Sequence, residues 1–134
     1  MKPLVIWATG VVAAFAALAG VTTATRGTEQ VFVVVDDSFP MQEVINRVPA
    51  ELDRIGDREY SEFAFATVGR GGSFVHGYQS DIDANPLAPF GPCSFDDFVD
   101  YPEASSADER ILITSSESCF ASELDGWTII ELDR

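Results

Sequence analysis

Two acidic residues and a serine follow directly on a run of β-branched and aromatic residues, Val31-Phe32-Val33-Val34-Val35-Asp36-Asp37-Ser38-Phe39-Pro40-Met41. A carboxylate and a hydroxyl two positions apart, just past an apolar strand, can offer hard oxygens to a divalent cation. The same carboxylate can instead cap the first amides of a following helix and favour the positive end of its dipole. A second group of oxygens, Thr114-Ser115-Ser116-Glu117, follows another apolar run, Arg110-Ile-Leu-Ile. Asp81-Ile-Asp83-Ala-Asn85 has the alternating oxygens of a calcium loop. Pro86 stands where that loop needs glycine and Pro92 where it needs glutamate, so this stretch reads as a solvated loop.

Acyl transfer would need a nucleophile and a base. Ser38 is placed at a strand-to-helix elbow, but no Gly-x-Ser-x-Gly surrounds it, and His76 is the sole histidine. Asp96 and Asp97 are adjacent, so on a helix they diverge and do not form an acid-base pair. Gly69-Arg-Gly-Gly72 joins two strands rather than opening a helix, which favours a hairpin turn over a phosphate cradle. No catalytic set emerges, and the chain reads as a non-enzyme.

The elements that position these groups must fit in 134 residues, enough for one small domain behind a distinct leader. After Lys2, residues 3–21 carry no charge. At about 1.5 Å per residue, 19 residues nearly cross a hydrocarbon core about 30 Å thick. Residues 1–25 therefore read as a retained signal anchor, or as a cleaved signal given the small-x-small pattern Ala17-Leu18-Ala19. Both readings export residues 26–134, either tethered to the outer side of the cell inner membrane in a single pass or released to the periplasm.

The exported part holds seven arginines, no lysine and all 22 acids. That sign excludes nucleic-acid binding by phosphate neutralisation, and an anionic lipid surface would repel the domain. Cys93 and Cys119 are the two cysteines, an even count in an oxidising compartment, and a disulfide between them is expected. Closing a loop of that length would stabilise the fold by about 3–4 kcal/mol on the chain-entropy account.

Residues 31–36 read as a strand buried on both faces. A helix from about Pro40 to Gly56 follows, with an apolar stripe of Met41, Val44, Ile45, Val48, Leu52 and Ile55. Pro49 inside it predicts a kink or a restart. Residues 60–68 form a second strand, with Phe63 and Phe65 on one face and Ala64, Ala66 and Val68 on the other. Residues 73–78 return antiparallel to it. A short helix over residues 95–101, with Phe95, Phe98 and Val99 as its apolar face, ends at Pro102. Residues 110–114 and 127–132 are two further strands, with a short helix around residues 120–124 between them. The order predicts a three-layer α/β domain on a mostly parallel sheet with one antiparallel strand.

Asp36-x-Ser38-x-Pro40-Met41 resembles the Asp-x-Ser-x-Ser motif of the von Willebrand factor A family. Gly56-Asp57-Arg58 and the Gly69–Gly72 turn are similar to that family's approach to its second strand and hairpin, and Thr114-Ser115-Ser116 is similar to its Thr-Asp-Gly. The resemblance covers residues 29–134 and implies a trimmed domain of that type. It also implies a cation, Mg²⁺ in the first instance, held by Asp36, Ser38 and Thr114 and completed by a partner's carboxylate. Pro40 lacks the second hydroxyl and Ser115 replaces the loop aspartate, so the implied site is degenerate. Asp37, Ser116 and Glu117 stand nearby as substitutes. The expected function is an exported, membrane-tethered protein-interaction module. The alternatives are an accessory structural subunit of a membrane complex, or a small hydrolase using Ser38.

Overall fold

The computed structural model describes residues 27–68, 74–84, 87–89, 91–92, 97–118 and 124–134. The expected membrane segment, the Gly69–Gly72 turn, residues 120–123 of the helix expected around 120–124 and both cysteines of the expected disulfide lie outside these residues. Among the described residues no helix is long and apolar enough to cross a membrane.

Five strands form a single sheet: β1 (Glu29–Asp36), β2 (Ser61–Val68), β3 (Phe74–Gln79), β4 (Glu109–Ser115) and β5 (Thr128–Leu132). Their spatial order is β3-β2-β1-β4-β5. β1 runs parallel to both β2 and β4, and β5 runs parallel to β4, while β3 is antiparallel to β2. The architecture is α/β with a mostly parallel sheet, as the sequence predicts.

β1 is central and its six residues from Val31 to Asp36 are all buried. A strand closed on both faces carries apolar side chains at every position rather than at alternate ones. The period of two then divides the core. Val31, Val33, Val35, Phe63, Phe65, Ile111 and Ile113 pack on one face beneath the first helical segments. Phe32, Val34, Ala64, Ala66, Val68 and Leu112 pack on the other, against Phe98 and Ala104. The small residues of β2 thus face Phe98 and Ala104.

The predicted first helix is realised differently. Residues Phe39–Glu43 and Ile45–Arg47 are 3-10 turns, and only Val48–Gly56 (α1) is α-helical. Three-residue bonds carry the chain through this stretch: Met41 N–H to Ser38 O at 3.0 Å, Val44 N–H to Met41 O at 3.0 Å, and Arg47 N–H to Val44 O at 2.9 Å. Pro49 has no N–H for the Ile45 carbonyl, so an α-ladder cannot run through it, and the helix restarts with Pro49 in its first turn. The apolar stripe is still buried, with Ile45 only half so.

The predicted helix over residues 95–101 is a 3-10 turn, Asp97–Asp100, of which Phe98 is buried but Val99 exposed. A 3-10 turn sets adjacent residues about 120° apart, so burying Phe98 turns Val99 outward. Pro102 opens a further helix, α2 (Pro102–Ser106), in addition to ending the turn.

Candidate functional site

Asp36 is the last residue of β1 and Thr114 the last but one of β4. The β1–β4 register, in which Val35 faces Ile113, carries both to the same carboxyl rim of the sheet. Open α/β sheets bind ligands at that rim. Asp36 is fully buried there, and each of its oxygens is engaged. Oδ1 accepts the backbone N–H of Ser38 at 2.9 Å, closing a local turn. Oδ2 accepts the hydroxyl of Thr114 at 2.8 Å and also that of Ser118.

Asp36, Ser38 and Thr114, the three site residues expected from the sequence, are therefore brought together. Their roles differ from a simple ligand set. Ser38 meets Asp36 through its amide, while its own buried hydroxyl makes no hydrogen bond among the described residues. Ser38 is also the residue that opens the 3-10 turn, yet its side chain caps nothing. Its backbone instead bridges to Gly91, with the neighbouring Phe39 N–H donating to Gly91 O at 3.1 Å. The amide that Asp36 accepts satisfies the helix-capping alternative in part: the carboxylate closes the entry to the first turn.

Ser118 is the residue that sequence reasoning misses. It reaches Asp36 because a turn, closed by Ser118 N–H to Ser115 O at 3.0 Å, folds the chain back after β4. The cluster Thr114-Ser115-Ser116-Glu117-Ser118 is the available signal, since four of its five residues carry hydroxyls. Of the proposed substitutes, Asp37 is buried, whereas Ser116 and Glu117 are exposed.

Thr114 and Ser115 part company at the rim. Alternation along β4 sends Thr114 to the Leu112 face, with Asp36, and Ser115 to the Ile113 face. Ser115 lines a cavity of about 20 Å³ with Pro40, Val44 and Leu132. It therefore does not join Asp36 as the loop aspartate of the resembled motif would.

As a cation site, the Asp36 rim offers one carboxylate whose bonds are already taken, plus hydroxyl oxygens that keep lone pairs after donating their hydrogens. Mg²⁺ usually keeps several waters and takes one or two carboxylates, so Asp36 with Ser38 and Thr114 fits it at the low end of charge. The unsatisfied Ser38 hydroxyl is the observation that favours a ligand. No group of three or more His, Cys, Asp or Glu gathers around a metal position among the described residues. Asp81, of the calcium-like stretch, accepts the N–H of adjacent Ile82 at 2.8 Å in its own exposed turn.

The hydrolase alternative would draw its base from His76. His76 lies on β3 opposite Phe65, and Phe65 is paired in turn with Val33 of β1. That register leaves His76 two strands away from β1 and well short of the rim that Ser38 occupies.

Exposed Phe39 follows Ser38 immediately, and Glu43, Glu117 and Arg134 surround the same edge. No protein-family model, curated protein or solved structure matches this chain.

Proposed function

We propose that the chain is an exported, membrane-tethered protein-interaction module resembling a trimmed von Willebrand factor A domain, docking through the carboxyl rim around Asp36, Ser38 and Thr114. The single observation that carries this reading is the buried Asp36–Thr114 contact at 2.8 Å with the unsatisfied Ser38 hydroxyl beside it. A mostly parallel sheet in the order β3-β2-β1-β4-β5 supports it, because the central strand and its parallel neighbour β4 then end at one edge.

Exposed Phe39 adds an apolar anchor to that edge, and aromatic residues are enriched where partners bury surface. In this reading Asp36, Ser38 and Thr114 would hold a weakly bound Mg²⁺, which when present supplies a positive point for a partner's carboxylate. The domain faces the outer side of the cell inner membrane, held by residues 3–21, or is free in the periplasm if that segment is cleaved.

Site-specific photo-crosslinking from position 39 of the full chain, in cells that export it, tests the docking face. Expected is a discrete cross-linked protein partner, reduced by Ser38→Ala, whose hydroxyl supports no internal hydrogen bond. An unchanged adduct in Ser38→Ala, or none at all, overturns the reading and favours the accessory-subunit alternative, in which the apolar leader makes the contacts. Labelling of Ser38 by a serine-reactive probe would support the hydrolase alternative instead.

A further inference from the structure

On the sheet face opposite the Asp36–Thr114 contact, the rim carries a second group of oxygens. Ser115 ends β4 with only 4 % of its surface exposed, and its hydroxyl has no hydrogen-bond partner among the described residues. It lines the cavity of about 20 Å³, together with Glu43 from the first 3-10 turn and Glu117 from the turn after β4. A space of that size accommodates one water or one small ion. Leaving a buried hydroxyl unsatisfied is costly, so the cavity favours an occupant with polar chemistry.

The charge of the group, two carboxylates, is already half offset by a cation from the chain itself. Arg134, two residues past β5, places Nε 2.7 Å from Glu43 Oε2 and Nη2 3.1 Å from Glu117 Oε2. One guanidinium thus draws together two carboxylates that belong to different loops. Both pairs are more than half exposed, and exposed pairs of this kind are individually weak. Arg134 is itself 64% exposed, so its guanidinium is open to exchange with solvent cations.

We propose that Glu43, Glu117 and Ser115 form a divalent-cation site whose positive charge Arg134 supplies in the structure. Two carboxylates and a hydroxyl, with water completing the shell, are hard-oxygen ligands suited to Ca²⁺ or Mg²⁺. Arg134 is a tethered competitor for the same oxygens. Occupied by metal, the site fastens the turn after β1 to the turn after β4 on the face away from Asp36. It stands independently of the docking role of the Asp36 rim.

The test is a titration of the full chain with Mn²⁺, followed by the loss of the free-ion paramagnetic signal, with Ca²⁺ as competitor. Measured in a Ser38→Ala background, which suppresses the weak cation binding proposed for the Asp36 rim, expected is one saturable site displaced by Ca²⁺, tightened severalfold in Arg134→Ala, weakened at least tenfold in a Glu43→Gln/Glu117→Gln double variant, and weakened in Ser115→Ala. Ser38→Ala should leave it unchanged, which separates this site from the Asp36 rim. These variants change exposed residues or an unbonded hydroxyl, and a matching circular dichroism spectrum checks that each still folds. Absence of saturable binding in Arg134→Ala up to about 10 mM metal, above the range of weak extracellular calcium sites, would overturn the proposal. So would binding that survives the double variant, or binding lost in Ser38→Ala.

Discussion

Thr114 donates its hydroxyl hydrogen to Asp36 across 2.8 Å, joining the ends of two adjacent parallel strands 78 residues apart in sequence. Because Ser118 and the Ser38 amide bond the same carboxylate, Asp36 is the point at which the β1 and β4 connections are tied to each other. The substitutions at this point should be unequal. Thr114→Val keeps the shape and removes one donor, at a cost of about 1–2 kcal/mol. Asp36→Ala strands three donors in a buried place and should cost about 3–5 kcal/mol, a large share of a small domain's stability. Urea denaturation of the full chain in non-ionic detergent measures both, and equal costs would remove Asp36 from its central role.

The Leu112 face of the sheet, which carries the Asp36 cluster at its rim, packs through an aromatic group. Phe32 meets Tyr101 and Trp127 edge to face at 6.4 and 5.9 Å, and Phe98 meets Trp127 at 5.2 Å. Phe32→Ala should cost about 3–5 kcal/mol by opening a cavity beneath Trp127. Ala66→Leu, on the same face, should cost about 1–3 kcal/mol by overpacking. Trp127 fluorescence during denaturation reads both. A neutral Ala66→Leu would mean that the layer over β2 is looser than the structure has it.

Tyr78 provides a pH-dependent contribution. Its hydroxyl donates to the Glu103 carbonyl at 2.8 Å, and burial pushes the phenol above its ordinary pKa. The Glu103 and Asp108 charges act in the same direction, against the hydrogen bond from Ser106 and the Arg110 charge. A raised pKa means that the folded state holds its proton more tightly than the unfolded chain. The contribution is therefore complete below about pH 10 and is lost as pH rises through the folded value. Denaturation midpoints compared between wild type and Tyr78→Phe should converge as pH rises above about 10; a constant difference would contradict the assignment.

Charge makes a further contribution that packing does not. The chain carries a net charge of −14, so the folded state brings like charges together. Added NaCl screens that repulsion over a Debye length of about 10 Å at 0.1 M. The thermal midpoint should rise by several degrees between low and moderate salt. A falling midpoint would show that ion pairs such as Arg54–Glu51 and Arg58–Glu109 outweigh the net repulsion.

The strands were legible because what specifies them is local. Five consecutive apolar residues from Val31, and the alternation of Phe63 and Phe65 with Ala64 and Ala66, specify strands and faces by period alone. The 3-10 course of residues 39–47 was legible only as a disturbance. Pro49 forbids a continuous ladder, but the bonds that replace it follow from how Met41 and Val44 must reach the core. Val99 is exposed because its segment turns every three residues rather than every 3.6, which carries it off the face of Phe98.

By itself, the sequence determined an acidic domain with a two-sided apolar centre and a carboxylate at the end of its first strand. Tertiary structure decided which hydroxyls that carboxylate meets, that Ser118 is among them, and that Thr114 and Ser115 serve opposite faces. The reason is physical: residue type and periodicity act over a few neighbours, whereas the β1–β4 register and the turn to Ser118 arise from packing contacts spanning some 80 residues.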